Sequence, residues 1–372
     1  MSVREETHVR VPFLDLAPSH EPLKERLVTE IAEVIDGGAF VNGPQVAAFE
    51  EAFAAYCGVE HCVGMASGLD ALRLAFIGGG IERGDEVILP ANTFIATAEA
   101  VSQAGGRVVL ADVSESDYNL DPAAAAGAVT DRTRFLLPVH LYGQVADLAA
   151  LEQIGIPIVE DACQAHGAAR NGSSAGTVGF AAAFSFYPGK NLGAMGDAGA
   201  LVTRDARLAE RARALREHGQ RRKYEHDLEG WTARLDTIQA LVLLRKLPYL
   251  DGWNAERRAQ ARAYTERLHG VGDLRLPPVA AGSNPVWHLY VIRTREPEAL
   301  AAFLRQRGIG TGRHYPQPVH LSPAYAHLGY REGAFPVTEA LAREGLSLPL
   351  FPGMTGAQLD AVCAAVAAFF DG

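Results

Sequence analysis

Between about residues 60 and 205, short apolar runs rich in β-branched residues alternate with alanine-rich stretches of helical period. The runs at 62–66, 86–89, 107–110, 135–139, 157–159, 180–186 and 200–202 are nearly all apolar, as expected of strands covered on both faces. Helical patterns fall between them at 68–76, 95–104, 122–129 and 147–153. Such alternation predicts an α/β fold with a mostly parallel seven-stranded sheet and helices on both faces.

After about residue 205 the pattern changes. Helices are predicted at 205–217 and 236–247, the second stopped by Pro248, and a charged one follows at 253–269. Shorter strands at 287–292, 308–312 and 346–348 mix with helices at 298–306, 337–344 and 356–369. This is a smaller C-terminal α+β domain, with the Pro/Gly/Ser-rich 277–285 as a loop. The division places residues 1–250 in an N-terminal segment plus large domain and 251–372 in the small one. The first 55 or so residues, with helices at 23–35 and 44–56, are expected to pack on one of these units.

The chain has 372 residues, enough for two or three packed units at roughly 100–200 residues each. Its 44 acidic and 34 basic side chains give a net charge of -10, the wrong sign for a nucleic-acid binder. No run approaches the ~18 apolar residues of a membrane span. The opening MSVREETHVR carries both signs of charge and leads into no apolar segment, so a signal peptide is not expected and a cytoplasmic location is. Cys57, Cys62, Cys163 and Cys363 form no CxxC pair, which suits reduced, mostly buried thiols. Without HExxH or paired Cys/His spacing, no metal site is expected. Of the basic residues only Lys24, Lys190, Lys223 and Lys246 are lysines, a bias that fits arginine-preferring codons. Lys24 and Lys246 fall in helical charge patterns and are expected at the surface.

Ligands of open parallel sheets bind beyond the carboxyl ends of the strands, so the residues there carry the chemistry. Ser67-Gly68-Leu69-Asp70 opens a helix after the first run. Its free N–H groups suit a phosphate, and the same residues suit a plain N-cap. Asp161 ends a buried strand and needs a partner, either a ligand or a structural hydrogen bond. Lys190 stands in Tyr187-Pro188-Gly189-Lys190-Asn191-Leu192-Gly193. A P-loop fails there, because Phe184 takes the first glycine position and Asn191 follows the lysine. A lysine in this setting can form a Schiff base once its pKa falls. An amine for an aldehyde, a carboxylate for a pyridine nitrogen and donors for a phosphate together specify pyridoxal 5'-phosphate. Phe94, after another strand, offers a face for the ring.

The motifs VNGPQVAAFEEAFAAYCGV, ASGLDALRLAF, ILPANTFIATAEAV, PVHLYGQ, IVEDACQAHGA, SFYPGKNLGAMGDAGAL, RLDTIQALVLLRKL, HYPQPVHL and LSLPLFPGMT follow one another nearly end to end. In content and order the chain resembles the sugar aminotransferase family of pyridoxal-phosphate enzymes, of fold type I. The resemblance implies Lys190 as the Schiff-base lysine, Asp161 on the pyridine nitrogen and Gln164 near the ring hydroxyl. It places Ser67, Gly68, Leu69 and Ser185 around the phosphate and Phe94 on the ring. It further implies a homodimer with shared active sites. The family's Gly-Tyr-Asn-x-Arg-Leu/Met segment, whose asparagine crosses to the neighbour's phosphate, reads here Gly230-Trp231-Thr232-Ala233-Arg234-Leu235, so Thr232 takes the asparagine's place. The GLDAL form, with Leu69 where the family usually has threonine, resembles the 3-keto-sugar subset.

These resemblances imply transfer of an amino group from L-glutamate to a nucleotide-linked keto-deoxysugar, with dTDP as the carrier, C3 as the site and ping-pong kinetics. A 4-keto sugar or an aminocyclitol ketone is the alternative acceptor. A sugar dehydrase of the same fold would carry histidine in place of Lys190, and a non-catalytic regulator would want a DNA-binding module. The substrate's diphosphate needs cationic contacts, for which Lys223-Tyr224 and His314-Tyr315 are the candidates, with Tyr187 in the same substrate site. His140, His166 and His218 are further candidates, His166 foremost because it lies near Asp161.

Overall fold

The computed structural model describes residues 10–371, so most of the mixed-charge opening segment lies outside the described residues. Seven strands form the central sheet: β1 (His61–Met65), β2 (Glu86–Pro90), β3 (Arg107–Ala111), β4 (Thr133–Leu136), β5 (Val159–Asp161), β6 (Ala181–Ser185) and β7 (Gly199–Thr203). Their order is β1-β7-β6-β5-β4-β2-β3, with the β4–β5 junction made by the parallel bridges Leu136–Ile158 and Val139–Asp161. Only β7 runs against its neighbours. All seven predicted strands are present, and the sheet is mostly parallel as the alternation requires.

Among the described residues there are ten helices of eight or more residues: α1 (Lys24–Gly37), α2 (Pro44–Cys57), α3 (Gly68–Gly78), α4 (Ile95–Gln103), α5 (Ala206–Arg216), α6 (Thr237–Lys246), α7 (Leu250–Leu268), α8 (Pro297–Gln306), α9 (Pro336–Glu344) and α10 (Gly356–Asp371). The period-2 rule explains the two cores. Cys62, Ile88, Ala182, Phe184, Ala200 and Val202 point to one face, where Phe49 and Phe53 of α2 pack. Val63, Val87, Leu89, Ala183 and Leu201 point to the other, beneath Leu72 and Phe76 of α3. β6 opens with three alanines, Ala181 and Ala183 on one face and Ala182 on the other, which lets helices lie close on both sides.

The hairpin β8 (Gln220–Arg222) and β9 (Glu225–His226) projects after α5. Strands β10 (Tyr290–Arg293) and β11 (Gly345–Leu348) pair antiparallel in the smaller unit, whose core joins Tyr264 of α7, Tyr290, Phe351 and Val366. The predicted strand at 308–312 is instead an extended segment held by single bridges, Val11–Ile309 and Gly312–Ser347. Three glycines within five residues leave little side chain to pack there. Pro248 does not stop the chain's helical course. It enters a single tighter turn, Leu247–Tyr249, between α6 and α7, where a missing N–H costs nothing.

The start of the chain divides between units. Val11 and Leu14 join the small unit's core, Phe49 and Phe53 the large one's, and Leu23 and Leu27 pack on Val242 of α6. Lys246 overturns the surface expectation. It is 2% exposed, its Nζ donates to Gly193 O at 2.5 Å and lies 5.6 Å from the Trp253 ring. Burial pushes its amine down to about 8. Among the described residues no helix is long and apolar enough to cross a membrane. Cys57, Cys62 and Cys363 are buried free thiols, with Cys163 partly buried.

Phe53 is fully buried, with ring centres 5.5 Å from Phe49 and 5.1 Å from both Phe184 and Phe186. Phe53→Ala is expected to cost about 3–5 kcal/mol of stability in urea titrations. A loss below about 1 kcal/mol would mean that this aromatic cluster is not what holds α2 to the sheet.

Candidate active site

A cavity of about 640 Å³ opens past the carboxyl ends of β1, β2, β5 and β6, where the small unit meets the large one. Its first wall is the start of α3. Ser67 caps that helix, accepting the Asp70 N–H at 3.0 Å and donating to Asp70 Oδ2 at 3.0 Å. Asp70 also pairs with Arg73, so its charge is answered on the helix surface and does not line the cavity. The first-turn N–H groups of Gly68 and Leu69 have no preceding carbonyl to bond within the helix and lie at the cavity wall. A Cβ on Gly68 would come 2.6 Å from Cys163 Sγ and 2.8 Å from Ser185 Cβ. One on Gly199 would come 2.3 Å from the Ser67 carbonyl carbon. Glycine at both points lets the helix start touch β6 and β7, which also brings Ser185 to the wall.

The second wall holds Asp161. Its Oδ2 accepts from Thr97 Oγ1 at 2.8 Å and its Oδ1 from the Cys163 N–H at 3.2 Å, both within buried or half-buried surroundings. Thr97 in turn bonds Thr93 at 2.8 Å, one helical turn away in the chain. Behind it, Glu160 on the same strand is buried and accepts from His140 Nε2 at 2.7 Å and from the N–H groups of Gly176, Val178 and Gly179. Burial alone would raise the Glu160 carboxyl, but these donors outweigh it and hold it below the usual range. The Ala146 N–H donates to His140 Nδ1 at 3.2 Å, so His140 is a structural strut beneath the site.

Lys190 faces the same cavity from the turn after β6. The turn closes on itself through Lys190 N–H to Tyr187 O (2.8 Å) and Ala194 N–H to Phe186 O (2.7 Å). Burial lowers the amine's pKa, with Cys163 and Asp161 pulling the other way. Among the described residues Lys190 makes no ion pair, although Asp161 lines the same space. Phe94 is 54% exposed at the cavity and 5.7 Å from the Tyr315 ring, so it is not a core residue. Gln164 donates to Tyr315 Oη at 3.1 Å and accepts from the Tyr142 N–H at 2.8 Å. Tyr187 is 59% exposed at the rim.

His314 reaches the cavity, yet not as the cation the substrate's charge suggested. Burial and then the nearby Lys190 charge push its ring down to about 4, and its Nδ1 bonds Ser347 Oγ at 2.8 Å. Thr232, Lys223 and Tyr224 lie away from the cavity of their own chain. Thr232 Oγ1 bonds His218 Nε2 at 3.2 Å, and Tyr224 at the hairpin tip is 80% exposed. Lys223 lines a separate basic cleft of about 590 Å³ with Arg213, Arg216, Arg221 and Arg222. His166 is not a cavity residue. Its ring packs 5.3 Å from Phe184 and 5.5 Å from Phe186 with both nitrogens unpartnered.

Sequence reasoning missed Thr97, His288 and Arg257. Thr93 precedes the N-cap Phe94 and Thr97 lies in the first turn of α4, so the helix start brings the two hydroxyls together. In α7 the buried stripe of Trp253, Arg257, Ala261, Tyr264 and Leu268 carries an arginine where apolar residues are the rule. What the cavity assembles is the chemistry of a pyridoxal phosphate site: an amine of lowered pKa, a carboxylate fixed as an acceptor and N–H donors at a helix start. No cluster of metal-ligating side chains occurs among the described residues.

Comparison with known proteins agrees. The profile of the DegT/DnrJ/EryC1/StrS aminotransferase family matches residues 22–367. The dTDP-3-amino-3,4,6-trideoxy-alpha-D-glucose transaminase of Streptomyces venezuelae is 49% identical over 98% of this chain and 97% of its own. The erythromycin biosynthesis sensory transduction protein EryC1 of Saccharopolyspora erythraea is 47% identical over 96% of this chain and 99% of its own. Among solved structures, S. venezuelae DesV superposes with a TM-score of 0.95 at 48% identity, covering 98% of this chain and 99% of that one.

Three histidines, His166 buried outside the cavity and His288 and His314 half-buried in its wall, give the protein a pH signature. Burial, then the Lys190 charge, pushes His166 down to about 3. The same causes hold His288 well below its ordinary value and His314 at about 4. Unfolded chains take up these protons below about pH 6.5 while the folded chain refuses them, so stability falls as pH drops through that window. Each such histidine costs about 1.4 kcal/mol per pH unit. His166→Leu is expected to flatten the slope of urea stability between about pH 6.5 and about pH 4.5 by one histidine's share. An unchanged slope would place a proton on His166 in the folded protein.

Proposed function

The chain belongs to the DegT/DnrJ/EryC1/StrS aminotransferase family, and from that premise we propose that it aminates C3 of a dTDP-linked keto-deoxysugar with L-glutamate as donor. It is a pyridoxal-phosphate-dependent aminotransferase. The observation that carries the reading is the half-buried Lys190, lowered in pKa, sharing one cavity with the doubly anchored Asp161 and the start of α3. The choice of C3 and of the dTDP carrier is supported by the S. venezuelae relative, named for that position and nucleotide, and by Leu69 in the GLDAL segment.

Bound pyridoxal phosphate supplies an aldehyde to the reacting amines and an electron-withdrawing protonated ring. The Gly68 and Leu69 N–H groups and Ser185 would hold its phosphate, with Ser67 fixing the helix start. Asp161, oriented by Thr97, would pair with its ring nitrogen. Gln164 would serve its ring hydroxyl, and Phe94 would lie against its ring. Lys190 is the general base and acid. In the first half it takes the proton from the α-carbon of glutamate, and in the second it delivers a proton to C3 of the sugar. Tyr187, His314 and Tyr315 line the sugar's place, His314 as a neutral hydrogen-bonding ring.

The functional unit is a homodimer in the cytoplasm. Support comes from the exposed Val28, Ile35, Phe40 and Val41 along and just after α1, an apolar strip that a second copy would cover. In the dimer Thr232, Lys223 and Tyr224 serve the neighbour's cavity, the last two at the substrate's phosphates. Four free cysteines with no disulfide suit a reducing compartment.

Light scattering is expected to give twice the chain mass of 39.7 kDa, and a monomer at micromolar concentration would remove the shared-site proposal. Mass spectrometry and NMR of products from matched 3-keto and 4-keto dTDP sugars with glutamate should place the new nitrogen at C3. Nitrogen at C4, or turnover only with a ketocyclitol, would replace the substrate assignment. Lys190→Ala should lose turnover by at least about a thousandfold while still binding the cofactor without a covalent link. Near-native turnover of that variant would refute the catalytic role of Lys190.

A further inference from the structure

Lys246, the last residue of α6, is a buried cation without an anion. Among the described residues no carboxylate lies within ion-pair distance of it, although the adjacent Arg245 pairs with Glu30 at 2.5 Å. Its Nζ donates to Gly193 O at 2.5 Å and lies 3.4 Å from His20 Nε2. His20 Nδ1 faces Leu16 O at 2.7 Å. A carbonyl only accepts, so the proton of the neutral ring sits on Nδ1 and the Nε2 lone pair is left for Lys246. Burial, and then the Lys246 charge, hold that ring below its ordinary pKa and keep it neutral.

A buried ammonium loses its hydration, and an apolar side chain would fill the same space without that loss. The two groups that Lys246 bonds belong to the two segments that meet beside Lys190. Gly193 closes the turn that carries Lys190. A Cβ there would come 2.2 Å from Pro188 O, so the turn folds back onto its own start. His20 ends the segment that begins with Phe13 and Leu14, both in the cavity wall. Leu14 lies over the Lys190 turn, its Cδ2 3.2 Å from where a Cβ on Gly189 would stand. Phe13 stacks on His314, with ring centres 5.6 Å apart. One ammonium therefore reaches both the Lys190 turn and the strap of chain laid across it.

We propose that Lys246 is a positioning residue of the reaction: its ammonium, shared between Gly193 and His20, latches the Lys190 turn to the N-terminal strap and so fixes where the Lys190 amine stands. The proposal rests on the aminotransferase reading above. Lys246 does not line the cavity and acts through the backbone of Gly193, three residues from Lys190. Lys190 moves a proton in both halves of that reaction, and misplacing a reacting group by about 1 Å costs on the order of a hundredfold in rate. Loss of the latch slows both proton transfers and leaves the binding of either substrate as it was.

The test compares wild type with Lys246→Met, which keeps the side chain's length and removes its charge, and with His20→Leu, His20→Gln and the double variant Lys246→Met/His20→Leu. Lys246→Met is expected to lower kcat about tenfold to a hundredfold in both half-reactions, with KM for glutamate and for the keto sugar within about threefold. The visible circular dichroism of the bound cofactor, which reads its asymmetric seat on Lys190, should change as well. A merely structural lysine would lower the urea midpoint and leave kcat and the dichroism native, and that outcome overturns the proposal. His20→Leu should reproduce part of the loss, and His20→Gln, which returns an acceptor, should recover it. The double variant should be no slower than Lys246→Met alone, because the two residues form one unit. Losses that multiply would mean that they act independently, against a shared latch.

If Lys246→Met does not fold, His20→Leu decides, since it leaves the buried amine and its bond to Gly193 in place. A native kcat and native dichroism in that variant sink the latch. Absence of any transamination by wild type would instead remove the underlying function, while the dichroism comparison would still report on Lys246 and His20.

Discussion

A lysine amine and a carboxylate face one cavity without joining into an ion pair, and much of the fold serves to keep them so. Asp161 is committed at both oxygens, to Thr97 and to the Cys163 N–H. Lys190 is committed through its backbone, in a turn that bonds back to Tyr187 and whose flank bonds to Phe186. Were either free to swing, Coulomb attraction in this poorly solvated place would close the gap and neutralise the chemistry. Burial lowers the amine's pKa, Asp161 opposes that, and the balance holds only while the distance is fixed.

The turn that carries Lys190 is fixed from behind by buried polar groups. Lys246 donates to the Gly193 carbonyl, and Asn191 donates to Asn254 and to the Val286 carbonyl at 2.9 Å each. Asn254 in turn holds the His166 carbonyl at 2.8 Å, which ties the segment after Asp161 to α7. One long helix thus braces the segments that follow Asp161 and Lys190 and contributes Arg257 to the cavity. Side chains buried and fully bonded in this way restrict the backbone to one arrangement. Below the sheet edge, the His140–Glu160 pair does the same for the loop at 176–179.

Apolar periodicity showed all seven strands of the sheet, because each strand is covered on both faces and must be apolar throughout. The small unit was less legible. Its segment at 308–312 had the composition of a strand, but its glycines leave it bridged to Val11 and Ser347 without a continuous ladder. Pro248 marked a stop by local rules and became the first turn of a connection. Lys246 looked like a surface charge by its neighbours in sequence and is buried by its neighbours in space.

The sequence by itself determined the large sheet and the family, and it singled out Lys190, Asp161 and the start of α3 as candidates. Each stands next to a strand end, so local order along the chain is enough to find it. Tertiary structure alone decided which groups share the cavity. Thr97 reaches Asp161 across 64 residues, while Arg257 and His288 come to Lys190 from another unit. It also decided that His166 and His314 are neutral rings and that Lys223 and Tyr224 face outward. Burial and the field of neighbouring charges set these properties, and both are sums over residues far apart in the chain.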